Sequence, residues 1–275
     1  MASSTADAVI DKSTLSDIYI TDALTERPLT PANPSREKEA VLGLAAAMAD
    51  RPAEVLPDFV ALAMELTGAT SAGLSLFEEQ PGDGVFRWRH LHGMLSPFED
   101  ALTPRMDSPC GVTLDQNRPV LARHPEQIYD WISAHDIIVP EVLLVPLYIG
   151  SAEPLGTLWV VAPEVGHFNA EHARITAELA GFVGSALKMI RTETRLRFAL
   201  DEQEIIAREM SHRLKNLFAM TDGLIRSSAR GADNVDDMAE ALSGRLHALA
   251  DAHALVQRKA TALGSDDRSI DLADL

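Results

Sequence analysis

The chain has one cysteine, Cys110, among 275 residues, so no internal disulfide can form. No apolar run approaches the roughly 18 residues that a bilayer-spanning helix needs. The N-terminus lacks the basic patch and apolar core of a secretory signal. Basic residues are scarce: 24 Lys and Arg stand against 41 Asp and Glu, a formal charge of -17. A surface of that sign repels phosphate backbones and acidic lipid, which excludes general nucleic-acid binding and docking on an anionic membrane. No glycine-rich phosphate cradle occurs, so the chain is not expected to bind or hydrolyse ATP by itself. The scattered histidines and the single cysteine make no close metal-ligand spacing, and no metal site is expected. These absences together point to a cytoplasmic protein.

What is present is apolar content of 46%, enough for a packed core over one or two domains. Residues 1–35 are rich in Ser, Thr, Ala, Asp and Pro and read as a flexible N-terminal arm. Within it, Val9-Ile10 and Ile18-Tyr19-Ile20 are apolar islands. Two helices follow, with stripes at Val41, Leu42, Leu44 and Met48 and then at Leu56, Phe59, Val60 and Ala63. Gly68 ends the second. Ser71–Glu78 and Val85–Leu91 read as a β-hairpin about the Pro81-Gly82-Asp83-Gly84 turn, with Phe86, Trp88 and His90 on one face. Residues 93–110 form a Pro-rich loop. A short helix after Pro109, a short strand at Val120-Leu121, and strong strands at Glu141–Tyr148 and Leu155–Val161 come next. Asn169 caps a helix that continues without a pause. This order predicts an antiparallel sheet with helices gathered on one face.

Along the last helix apolar residues keep a three-four spacing. With Leu179 as an a position, the a series runs Leu179, Ala186, Glu193, Leu200, Ala207, Leu214, Thr221 and Ser228. The d series runs Phe182, Met189, Leu196, Gln203, Met210, Leu217 and Leu224. That spacing belongs to helices paired along a seam. The weaker members Glu193, Gln203, Thr221 and Ser228 fit either a two-register switch or a merely loose bundle. His212 falls at f, farthest from a partner. Glu209, three residues before it, and Lys215 and Asn216, three and four after it, share its outward face. A carboxylate there can hold one ring proton and leave the other nitrogen nucleophilic. The Lys215 cation and the Asn216 amide can meet phosphate oxygens. Residues of these types on a wet helix face also read as plain solvated surface, and spacing alone does not separate the two. Past Gly231–Asn234, capped by Asp233 or Asp236, a second helix carries Met238, Leu242, Leu246, Leu249, His253 and Val256 on one stripe. His247 and His253 read as bundle residues.

The run Glu209-x-x-His212-Arg213-x-Lys215-Asn216 resembles the phosphoacceptor box of the HWE and HisKA_2 groups of sensor histidine kinases. Leu242-Ser243-Gly244-Arg245-Leu246-His247-Ala248-Leu249-Ala250-Asp251-Ala252-His253 resembles the second half of their hairpin. The resemblance implies a homodimer in which two hairpins form a four-helix bundle. It implies phosphorylation on His212 and transfer of the phosphoryl group to an aspartate of a response-regulator receiver domain. Commoner histidine kinases place an acidic residue after the histidine. Arg213 stands there instead, which leaves Glu209 as the acidic candidate for base or orienter.

Residues 36–190 resemble a GAF domain, through Ala69-Thr70-Ser71-Ala72-Gly73-Leu74-Ser75-Leu76, Val145-Pro146-Leu147 and Pro154-Leu155-Gly156-Thr157-Leu158-Trp159. The implied fold class is an α+β sensor domain joined by a long helix to an all-α hairpin. GAF domains often hold a small ligand between the sheet and the variable middle segment. Candidate lining residues are Trp88, His90, Cys110, Trp131, His135 and Tyr148. The bland alternative is that the aromatics fill a core and the polar tips meet the surface. Ser108-Pro109-Cys110-Gly111 lacks the Cys-His pair usual where bilins attach. Residues 191–260 are then the signalling helix and phosphotransfer hairpin. Residues 261–275 read as a linker toward an ATP-binding domain whose characteristic boxes this chain lacks. ATP and Mg2+ are expected for the full-length kinase and no cofactor for this part. The alternative is a non-catalytic phosphorelay adaptor, or a small-molecule-binding dimerisation module.

Overall fold

The computed structural model describes residues 17–29, 34–135, 137–149 and 153–263. It divides into two units, Met1–Glu193 and Thr194–Leu275. The first contains α1 (Ala23–Glu26), α2 (Pro34–Asp50), α3 (Leu56–Thr67), β1 (Ser71–Glu78), β2 (Val85–Gly93), β3 (Leu102–Pro104), α4 (Pro109–Gln116), β4 (Val120–Arg123), α5 (Asp130–Ser133), β5 (Glu141–Ile149) and β6 (Glu153–Val161). It also holds the beginning of α6 (Ala170–Arg230), and α7 (Val235–Leu263) belongs to the second unit.

Six strands form one sheet in the order β3-β2-β1-β6-β5-β4, with every neighbouring pair antiparallel. Alternation along the strands sorts its side chains into two cores. Ala72, Leu74, Leu143, Val145, Leu158 and Val160 point to one face, where α3 supplies Phe59, Val60 and Ala63. The start of α6 adds Ile175, Leu179, Val183 and Ala186 to the same core, and Phe59 stacks on Phe182 at 5.8 Å between ring centroids. Phe86, Trp88, Val142, Leu144, Trp159 and Val161 point to the other face. Helices therefore do not gather on one face as the element order predicts. Cys110 and Leu114 of α4 and Ile132 of α5 cover the second core. The reason is legible in Val142-Leu143-Leu144-Val145, which is apolar at every position and demands cover on both sides.

The β2 face also differs from simple alternation. His90 takes φ 55°, in the left-handed region, where β1–β2 pairing shifts register between Ala72 and Leu74. Glu99 holds this bulge by accepting from the His90 and Leu91 backbone N–H groups, each at 2.8 Å. Leu91, not His90, continues the buried face after Trp88. Gly73 sits opposite. A Cβ there would collide with Leu91 and the Trp159 ring, so glycine at this point lets both side chains close over the strand.

Part of the arm expected to be flexible over 1–35 is joined to the first unit. Ile20 N–H donates to Leu121 O at 2.9 Å, and the Leu121 N–H donates to Thr21 Oγ1 at 3.1 Å. Ile18 is buried in the second core. Arg27 forms a two-pronged pair with the fully buried Glu141, at 2.8 and 2.9 Å, and donates to Phe168 O at 2.6 Å. Glu141 also accepts from the Gly166 and Phe168 N–H groups, both at 2.9 Å. The Asn169 amide donates to Pro28 O at 2.9 Å, while its oxygen caps α6 by accepting from Glu171 and His172 N–H. Residues 17–29 thus form a strap from the β4 edge to the root of α6. Val9-Ile10 lies outside the described residues.

In the second unit, α6 and α7 form a hairpin across Gly231–Asn234. The α7 cap is Asn234, not Asp233 or Asp236. Its Oδ1 accepts from Asp237 N–H at 2.9 Å, and its amide donates to the Asp237 carboxylate at 2.8 Å. Leu217, Thr221 and Leu224 of the seam are half-buried and Ser228 is buried; Met238, Leu242 and Leu249 are half-buried on α7, whereas Leu246 is exposed. The Arg245 guanidinium donates to Ser227 Oγ at 3.1 Å and Ser228 Oγ at 3.2 Å, tying the two helices near the turn. The side chains of His253 and Val256 lie outside the described residues.

Candidate functional site

Two places deserve the name of a site, one in each unit. In the hairpin, His212 is exposed on α6, as are Glu209, Lys215 and Asn216. A rigid helix fixes all four, since residues three and four apart lie one turn away from each other. The His212 side chain makes no hydrogen bond among the described residues. Glu209 Oε1 instead accepts from Arg213, from Nε at 3.0 Å and more closely from Nη2. The carboxylate expected to orient the imidazole is therefore held by the arginine beside it. The signal for that pair was in the sequence, as Glu followed four residues later by Arg. The His212 imidazole stands in solvent, with no partner holding either ring nitrogen among the described residues. His247 is also exposed, but its Nδ1 is bonded to Ser243 O at 2.8 Å.

In the first unit a cavity of about 50 Å³ lies between the second sheet face and the segments around α4 and α5. Of the six predicted lining residues, Trp88, Cys110 and Trp131 border it. His90, His135 and Tyr148 do not. His90 sits at the β2 bulge, where burial pulls its pKa below the ordinary value. His135 is exposed, with Nδ1 against Trp131 O at 2.7 Å. Tyr148 donates to Leu114 O at 2.9 Å. Trp159 and a set of aliphatic side chains, Ile132, Ile137, Val139, Leu144 and Val161 among them, complete the wall. A search for polar and aromatic groups passes over aliphatic residues, because the same types also build ordinary core. Two-sided apolar strands were the available signal.

Cys110 lies in the first turn of α4, which Ser108 caps by accepting from Gly111 N–H at 3.1 Å. Burial pushes the thiol pKa up, against an opposing pull from the Ser75 and Thr157 hydroxyls, so the group stays a neutral thiol. Close by, the Tyr19 and Tyr129 hydroxyls share a short hydrogen bond. Burial pushes Tyr129 up to about 12 and Tyr19 higher still. The strap residue Tyr19 thereby joins the segment that carries the cavity wall. Among the described residues, no three His, Cys, Asp or Glu side chains are grouped to hold a metal ion. No helix among them is long and apolar enough to cross a membrane.

Comparison with known proteins agrees with this division. Residues 49–188 match the GAF domain family, and residues 209–265 match the HWE histidine kinase family. No curated protein matches the chain. Among solved structures, the GAF-B domain of DevS from Mycobacterium smegmatis aligns at 19% identity and TM-score 0.41, over 53% of this chain and 98% of that one. The free methionine-R-sulfoxide reductase from Neisseria meningitidis, in complex with its substrate, aligns at 16% identity and TM-score 0.47, over 61% of this chain and 98% of that one. A GAF domain from a phosphoenolpyruvate-protein phosphotransferase of Coxiella burnetii aligns at 16% identity and TM-score 0.44, over 56% and 96%. The chain belongs to the GAF domain family and carries, after its GAF domain, an HWE-type histidine kinase region.

Proposed function

We propose that the chain is the sensory and dimerisation portion of a two-component histidine kinase, with His212 as its phosphoacceptor. The observation that carries this reading is the coincidence of an HWE histidine kinase match starting at residue 209 with an exposed, unbonded imidazole three residues later on a long helix. An ATP-binding domain, downstream or separate, presents ATP and Mg2+. This chain contributes the nucleophile. A ring nitrogen of His212 forms the N–P bond as the β–γ P–O bond breaks; ADP leaves, and the other nitrogen gives up its proton. Glu209 takes that proton once Arg213 releases it. Lys215 and Asn216 meet the phosphoryl oxygens. The group then passes to a receiver-domain aspartate, breaking N–P and forming an acyl phosphate.

The half-empty seam of α6 supports a homodimer, in which a second hairpin covers Met210 and Leu214, exposed by 64% and 48% in the single chain. The same reading places the protein in the cytoplasm, where receiver domains and ATP are found. The cavity of the GAF domain supports an additional role in binding a small molecule.

The test is to mix the chain with a separately made ATP-binding domain of an HWE kinase and γ-labelled ATP. Acid-labile, base-stable label on the chain, absent in His212→Ala, is the expected result. Label of equal strength in His212→Ala removes His212 from the mechanism.

A further inference from the structure

We propose that the strap, residues 17–29, is a latch that couples two regions on opposite faces of the sheet: residues 125–133 and the root of α6. Tyr129 and Ile132 belong to the core on the second face, Phe168 and Ile175 to the core on the first. The sheet stands between them. The strap passes round its β4 edge, placing Ile18 in the second core and Leu24 in the first. Along that edge it lies as a further strand would. Tyr19 makes an antiparallel bridge to Ala122, and Ile20 N–H donates to Leu121 O. Asp17 O accepts from Arg123 Nε at 3.0 Å.

Each end of the strap is fixed by directional polar contacts. At the first end the Tyr19 and Tyr129 hydroxyls share a hydrogen bond, and Tyr129 O accepts from Ile132 N–H at 2.9 Å in the first turn of α5. At the other end one carboxylate serves both strap and helix root. Glu141 accepts from Arg27 and from the Gly166 and Phe168 N–H groups. Arg27 also donates to Phe168 O, and Pro28 O holds the amide of the cap residue Asn169. With the strap released, the buried Glu141 keeps its backbone donors but loses its countercharge, which is costly. The root of α6 therefore has a tight arrangement with the strap seated and a looser one without it. Tyr19 and Arg27 stand eight positions apart with the single turn of α1 between them, so slack at one end reaches the other. Such coupling is reciprocal: what loosens Tyr129 loosens Asn169, and the reverse. Because α6 also carries His212, the latch is a route of control over it under the phosphotransfer reading. The coupling itself does not rest on that reading, and its test involves neither His212 nor ATP.

Hydrogen–deuterium exchange of the full chain, read by mass spectrometry, tests the coupling. Tyr19→Phe removes one hydroxyl at the end remote from α6. It is expected to speed exchange about threefold or more in residues 125–133 and also in 166–173, with β1 and β6 unchanged. Arg27→Gln cuts the other end and is expected to speed exchange in 125–133 as well as in 166–173. Should Arg27→Gln not fold, Tyr19→Phe decides alone. The unaltered chain supplies a readout that needs no variant. In low urea the Ile20, Ile132 and Phe168 amides are expected to exchange through one common opening, with one urea dependence, ahead of the Leu158 and Val160 amides. A plain brace confines each substitution's effect to the end it touches. That outcome, equal acceleration in β1 and β6, or three unrelated urea dependences would each overturn the proposal.

Discussion

A single helix, Ala170–Arg230, carries one apolar spacing through two different surroundings. In its first turns the a positions Leu179 and Ala186 are completely buried against the sheet of their own chain. Further along, Leu196, Leu200 and Met210 keep the same register but stand 58%, 55% and 64% exposed. The repeat says which face is apolar; it does not say what covers it. Exposed ion pairs one helical turn apart occur in both units, in the first as Arg51–Glu54 and Arg174–Glu178. Among the described residues, the charge pair with a fully buried member lies in the first unit. The first unit has Arg27 and Glu141 locked together at depth. The second has surface pairs one helical turn apart, Arg208–Glu204, Arg213–Glu209 and Arg226–Asp222. Surface pairs of that type add little stability. They can break and reform at small cost, which suits the docking of a donor domain that the proposed function requires.

The contrast can be broken most severely at Glu141. Arg27→Met leaves a fully buried carboxylate with only backbone donors, so the first unit should lose about 4 kcal/mol. Urea unfolding followed by tryptophan fluorescence measures this, because Trp88, Trp131 and Trp159 all lie in that unit. A loss below about 1 kcal/mol would mean that the strap is dispensable. A matched pair of truncations sharpens the comparison along the helix. Leu179→Ala should cost about 3 kcal/mol in the same assay, because it opens a cavity in a packed core. Leu200→Ala should cost less than about 0.5 kcal/mol there. Its effect should appear in sedimentation as weaker self-association. Equal costs at the two positions would contradict the division into a self-covered and a partner-covered seam.

Smaller effects belong to the hairpin. Asn234→Ala removes the α7 cap and should cost about 1 kcal/mol, read as an earlier loss of helical circular dichroism with unchanged tryptophan unfolding. Glu209→Gln breaks only an exposed pair, so its effect on stability should be about 0.5 kcal/mol or less. If Glu209 serves as proton acceptor, the same variant should slow labelling of His212. Unchanged labelling would leave Glu209 as no more than Arg213's partner.

Much of the architecture could be read from the chain. Both long helices, the Gly68 stop, the Asn169 cap and strands β1, β2, β5 and β6 follow from periodicity and cap chemistry, which are local. The strap did not follow. Tyr19–Tyr129 and Arg27–Glu141 join residues more than a hundred positions apart, and no local pattern announces such partners. The His90 bulge was missed because Glu99, eight and nine residues downstream of the bonds it accepts, creates it. At the cavity, the readable part was the aromatic and sulfur groups. The aliphatic wall was hidden because Ile132 or Val161 looks the same in a filled core as beside a void. At His212, heptad position predicts the outward face; in the single chain the seam residues Met210 and Leu214 are exposed as well, and Arg213's hold on Glu209 depends on rotamers that spacing does not fix.

The most direct measurement is to locate the phosphoryl group itself. After reaction with a separately made ATP-binding domain and ATP, the chain is digested at neutral or alkaline pH and its peptides are sequenced by electron-transfer mass spectrometry. The account predicts phosphate on the imidazole of His212 alone. Phosphate on His247 or His253, or on no histidine, would contradict it.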